Sequence, residues 1–171
     1  MSGLRIIEPR SAAEMEVFRR LNWDYRDYLL ALPPPHSDAV LAAYPEDKYI
    51  AILDAAETEN RPPRGMMRLL MVEDQPLGCG TIQTIGDGDA EIKRVYIAPS
   101  AQGRGAGRRM MEQLIADCRT LGFRRILMDT GQFLTTATAL YDSMGFTRRD
   151  PYGDLPEDAA ALRHFFEMPL D

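Results

Sequence analysis

The chain has 171 residues, 45% hydrophobic and 27% charged, with a formal net charge of −6 at pH 7. That length suits one domain with a single core, and no run approaches the roughly 18 apolar residues of a membrane span. The acidic balance argues against a nucleic-acid partner, Met1–Arg10 lacks the apolar core of a signal peptide, and Cys79 and Cys118 form no metal or redox spacing. The expectation is one domain over 1–171 in a reducing cytoplasm, with no metal and no membrane; the oligomeric state is open, a homodimer included.

In chain order, Leu4–Ile7 reads as a first strand, and Ser11-Ala12-Ala13-Glu14 as a capping box opening a helix. Apolar residues at Met15, Phe18, Leu21, Tyr25, Tyr28 and Leu32 keep helical spacing until Pro33-Pro34-Pro35 stops it. Ser37 is placed to cap a second helix through Tyr44; Glu46–Glu57 reads as a third, and Thr58–Gly65 as a loop. Three strands follow, Met67–Val72, Leu77–Ile85 and Ala90–Ile97, and their short turns imply an antiparallel meander. Gly105–Leu121 carries a helical apolar stripe and ends at Gly122, with Phe123 placed to pack back. Arg125–Asp129 reads as a strand and Leu134–Met144 as a helix stopping at Gly145. Phe146–Arg148 and His164–Leu170 read as strands about an Asp150–Asp158 loop.

The charge is uneven. Glu91–Arg125 holds eight bases and three acids, a basic island in an acidic chain, which suits a small polyanion. Within it, Gln102-Gly103-Arg104-Gly105-Ala106-Gly107-Arg108 joins a strand to a helix start. Free amides and a partial positive charge at a helix start bind phosphate, and glycines let the phosphate approach the backbone. A P-loop would need Lys at 108 and the dinucleotide fingerprint Gly, but Arg stands there. Glu91, Lys93 and Arg94 also make the preceding strand too polar for a buried parallel one. What remains is Gln-x-x-Gly-x-Gly over Gln102, Gly105 and Gly107.

With that pattern, and with Ala137-Thr138-Ala139-Leu140-Tyr141-Asp142-Ser143-Met144-Gly145-Phe146 a helix and a strand later, the sequence resembles the GNAT superfamily of acetyltransferases. Lys93–Ile97 and Asp129-Thr130 resemble a bacterial subgroup of small standalone members. The resemblance implies an α/β fold, a mixed central sheet with antiparallel N-terminal strands, a splayed β4/β5 pair, and helices on both faces. It implies acetyl-CoA as acetyl donor, no metal, and direct attack of an amine on the thioester. Glu91 then matches the family's general base and Tyr141 its general acid. Val95, Tyr96 and Ile97 match the backbone that bonds the pantetheine arm, and Gln102, Gly103, Arg104, Gly105, Ala106, Gly107 and Arg108 the pyrophosphate loop. Trp23, Tyr25, Tyr28 and Tyr152 fall on the acceptor side. Many members carry Asn three residues before Ala137; Leu134 stands there, so that polar contact is not carried over. The leading expectation is transfer to a small-molecule primary amine, such as an amino acid or a polyamine-like compound. A protein or peptide acceptor is one alternative. A non-catalytic acyl-CoA-binding module is another, against which Glu91 and Tyr141 speak.

Overall fold

The computed structural model describes residues 3–170. A seven-stranded mixed sheet runs through it in the order β1-β2-β3-β4-β5-β7-β6. Strands β2 (Gly65–Val72), β3 (Gln75–Gly86) and β4 (Asp89–Ile97) form the expected antiparallel meander, and β1 (Leu4–Ile7) pairs antiparallel on the outer edge of β2. Glu73 and Asp74 between β2 and β3 both have positive φ, the twist that a tight hairpin needs. Strand β5 (Arg125–Gly131) lies parallel to β4. The closing strands β6 (Thr147–Arg149) and β7 (Arg163–Pro169) pair antiparallel on the far side of β5.

Helix α1 (Ala12–Leu30) opens with the capping box in place: the Glu14 amide donates to Ser11 Oγ, and the Ser11 amide to the Glu14 carboxylate. The periodicity read from the sequence extends to Leu32, but the helix ends at Leu30, clear of the prolines. Helix α2 (His36–Ala43) departs from expectation, because it follows Pro35 directly and has no side-chain cap. A proline fixes φ near the helical value, so the helix starts one residue before Ser37. Helix α3 (Glu46–Glu59) runs two residues further than read, which shortens the following loop. In the loop expected over Asp150–Asp158, the last residues begin a short helix, α6 (Glu157–Ala160).

Two apolar layers flank the sheet. On one face α4 (Ala106–Thr120) buries Met110, Met111, Leu114 and Cys118 against Ile82, Ile92 and Ile126. Each fully buried side chain of this size contributes roughly 1.5–3 kcal/mol. Gly80 permits the close approach, since a Cβ there would stand 2.8 Å from Leu114 Cδ1. A half-buried ion pair, Arg68 to Asp117, ties α4 to β2 with two bonds of 2.7 and 2.6 Å. Beyond Gly122 the Phe123 amide reaches the Cys118 carbonyl and Phe123 packs on the core, as the sequence implied. On the opposite face α1 and α3 bury Phe18, Leu21 and Ala56 over Met67, Leu69 and Cys79.

Candidate active site

The site begins where two strands part. Pairing between β4 and β5 covers only Asp89–Glu91 with Arg125–Leu127. Beyond it β4 stays on β3 as far as Ile97, and β5 stays on β7 as far as Gly131. The facing edges of β4 and β5 therefore carry no ladder, and a gap opens between them. A bulge sharpens the split: the β3–β4 register slips between Cys79 and Thr81, so that Arg94 and Val95 together face Gly80, and Arg94 has φ +50°. Non-glycine residues seldom adopt that conformation, and bulges bend the strand that carries them.

One side of the gap is a groove of about 480 Å³, lined by Val95, Tyr96 and Ile97 of β4, the Gln102–Arg108 turn, and residues 133–137, Leu140 and Tyr141. Pro99–Ala101 makes one 3₁₀ turn, and the Gln102 side chain closes it by donating to the Ile97 carbonyl at 2.8 Å. Backbone hydrogen bonds around the turn stop at the Gln102 amide, on Pro99 O, and resume at the Arg109 amide, on Gly105 O. The amides between are the free donors of a helix start. Gly103 and Gly105 hold φ of +71° and +78°, where a side chain is strained, and nothing lies within 4 Å of either Cβ position. Arg108 is engaged, its guanidinium 2.6 Å from Ser143 Oγ, whereas Arg104 is exposed and off the groove.

Tyr141 closes the groove from α5 (Thr135–Ser143). Gly145 turns the chain with φ +90°, the Phe146 amide returns to the Tyr141 carbonyl, and the Phe146 and Phe166 rings stand edge-on to Tyr141 at 6.1 and 5.5 Å. The ring is thus fixed by packing. Burial, with Asp129 adding to it, pushes the phenol well above its ordinary pKa, so it stays protonated.

On the other side of the gap lies a smaller pocket of about 90 Å³, walled by α1, α2, β4 and β5. Its polar lining includes His36, Lys93, Arg94, Asp129 and Arg163. Tyr25 and Leu134 line both cavities, so the two spaces share a wall at the split. Arg163 pairs with Asp129 at 2.9 Å.

The family model for the acetyltransferase (GNAT) family matches residues 17–146. The chain belongs to that family. An "IAA acetyltransferase" of Azospirillum brasilense is 32% identical over 150 residues, which cover 82% of this chain and 97% of that protein. Among solved structures, an acetyltransferase from Streptococcus agalactiae has a TM-score of 0.74 at 17% identity, with 99% of this chain and all of that one covered. The PaiA N-acetyltransferase of Thermoplasma acidophilum, in complex with coenzyme A, has a TM-score of 0.71 at 13% identity over 99% and 100% of the two chains. These two likenesses speak for the shared fold.

In this GNAT acetyltransferase the residues singled out from the sequence divide. Val95, Tyr96, Ile97, Gln102, Gly103, Gly105, Ala106, Gly107, Arg108, Tyr25, Tyr28 and Tyr141 all line the large groove. Glu91 sits at the last paired position before the split, buried, and lines neither cavity. Its carboxylate accepts from Gln83 Nε2 at 2.9 Å and Tyr152 Oη at 2.8 Å, with Lys93 Nζ at 3.3 Å. Tyr152 is therefore a partner of Glu91 rather than part of either cavity wall. Trp23 lies outside both cavities, edge-on to Tyr49 at 5.1 Å and beneath the Arg26 guanidinium. Lys93, Arg94, Asp129 and Arg163 make the small pocket and were not among the expected site residues. The bulge that turns Arg94 inward breaks strand alternation, and no local residue pattern announces it.

Proposed function

We propose that this acetyltransferase uses acetyl-CoA as donor and a small-molecule primary amine as acceptor. The observation that carries the reading is the split between β4 and β5, which opens into a groove for a long, thin ligand. One end of that groove is the cradle of free amides and the other is Tyr141. The pyrophosphate of the donor rests on the Gln102–Arg108 amides, where the helix start favours negative charge. The pantetheine amides bond the unpaired edge of β4 over Val95–Ile97. The acceptor enters from the small pocket, whose modest size favours a short molecule over a protein chain.

In the reaction the amine nitrogen attacks the thioester carbon, the new C–N bond forms, and the C–S bond breaks. The thiolate takes the Tyr141 proton, and the nitrogen gives up one proton. Glu91 receives it at one remove, through water, while the Tyr152 hydroxyl holds its carboxylate in place. Asp129 is the second reading, because it lines the acceptor pocket directly.

The test is thiol release from acetyl-CoA across amines, amino acids and peptides. Turnover with at least one small amine, at a kcat/KM at least tenfold above every peptide, is expected. Peptides outpacing all small amines would move the acceptor class to protein. CoA binding without turnover on any amine would make the chain a binding module.

A further inference from the structure

The small pocket contains a charge that the protein leaves unanswered. Its other cations are neutralised in place, Lys93 by Glu91 and Arg163 by Asp129. Arg94 is not. It is 7% exposed, its Nε is buried without a hydrogen-bond partner, and no carboxylate of the described residues lies within ion-pair distance of it. The other buried arginine among the described residues, Arg26, donates to the Tyr44 carbonyl at 3.0 Å and lies over the Trp23 and Tyr49 rings. A buried charge without a partner is costly, and a guanidinium is shaped to take a carboxylate through two parallel bonds.

We infer that Arg94 is the anchor for a carboxylate on the acceptor, so that the substrate class is a small amino carboxylate, an α-amino acid with an aliphatic side chain, rather than a polyamine. This assignment rests on the reading of the chain as an amine acetyltransferase. With two of its three lysine and arginine cations paired, the pocket keeps one unneutralised positive charge, which repels a second ammonium and attracts one carboxylate. Leu29, Leu32, Val40 and Leu162 supply an aliphatic wall to the same pocket. Tyr25 and Leu134 form the wall shared with the groove. An amino acid held by its carboxylate at Arg94 can therefore turn its amine toward that wall, where the thioester of the donor is expected.

The test separates binding from turnover. The twenty L-amino acids, their carboxamides and their decarboxylated amines are titrated calorimetrically into the CoA-saturated protein, and the same compounds are assayed for thiol release. Wild type is expected to bind at least one aliphatic amino acid about 10- to 100-fold more tightly than its carboxamide, the range for loss of charge-assisted hydrogen bonds. Arg94→Met should collapse that ratio to near one, and Arg94→Lys, which keeps the charge without the fork, should restore part of it. Unchanged CoA binding in the variants checks the fold, and the Lys variant carries the comparison if the Met variant does not fold. Carboxylate-selective binding that depends on Arg94, without any thiol release, would uphold the anchor and sink the acetyltransfer reading. Turnover of amines or carboxamides at least as fast as the amino acids would uphold acetyltransfer and overturn the anchor. Failure of every amino acid to bind, or a ratio unmoved by Arg94→Met, would also overturn it.

Discussion

Tyr141 has its ring fixed by Phe146 and Phe166, so removing its hydroxyl leaves the packing intact. Tyr141→Phe should change stability by roughly 1 kcal/mol at most. CoA affinity should hold, while turnover falls about 100-fold, because a phenol proton matters when the thiolate leaves. An acetyl thioester with a more acidic thiol should restore much of the loss, and equal slowness with both donors would make Tyr141 a positioning residue. Glu91 and Asp129 are the two candidates for the proton of the amine, and their surroundings differ: Glu91 is ringed by Gln83, Lys93 and Tyr152, Asp129 held by Arg163. Glu91→Gln should flatten the acidic limb of the rate–pH profile and slow turnover by about 10²–10⁴-fold. If Asp129→Asn does this and Glu91→Gln does not, the base is Asp129. Much of the site was legible at this scale because glycine, glutamine and tyrosine sit in a recognisable spacing along one stretch of chain. The Glu91–Tyr152 bond joins residues 61 apart in sequence, and nothing local announces it. Trp23, expected on the acceptor side, stands against Tyr49 and lines neither cavity: an aromatic on α1 is equally suited to the groove and to the α3 interface, and only packing decides.

At the scale of elements, the β4–β5 pair has three residues in register and then opens, so little holds its base together. Asp89 and Arg125 stand opposite in that register and share a two-bonded ion pair, at 3.1 and 2.6 Å. The Arg125 guanidinium holds the Asp89 carboxyl below its ordinary pKa. A carboxyl depressed in the folded state contributes stability above its unfolded pKa, near 3.9, and loses it as pH falls through the folded value. Asp89→Asn should therefore lower Tm by about 2–4 °C at pH 7, for a loss near 1 kcal/mol. The gap to wild type should narrow steadily below pH 4 in thermal melts. A gap that is constant from pH 7 to pH 3 would mean that the pair contributes nothing through its charge. Strands and helices were readable here because period-two and helical stripes run through most of them. The start of α2 was not, since Pro35 governs that backbone and Ser37 has no role as a cap. Nor was α6, four residues with no buried side chain to leave a stripe.

Across the whole molecule, the sheet works as a partition with one opening. The large groove and the small pocket meet at Tyr25 and Leu134, so on the proposed function donor and acceptor would approach the reaction centre from different sides. Charge is uneven across the molecule as well. The chain is acidic overall, while Glu91–Arg125, which contains the amide cradle, is basic. A polyanion is drawn to that region, and the field weakens with salt. The central claim is that the Gln102–Arg108 turn receives the pyrophosphate of acetyl-CoA, and calorimetric titration of CoA into wild type and Gly105→Glu tests it most directly. The Cβ position at Gly105 is open, so the first side-chain carbon meets no protein atom; the substitution strains one φ and puts a carboxylate where the phosphates belong on the proposed reading. Circular dichroism should report a folded variant. Binding is predicted to fall at least 100-fold in it, the scale of losing charge-assisted bonds and adding like-charge repulsion. A folded Gly105→Glu protein that binds CoA as tightly as wild type would contradict the account.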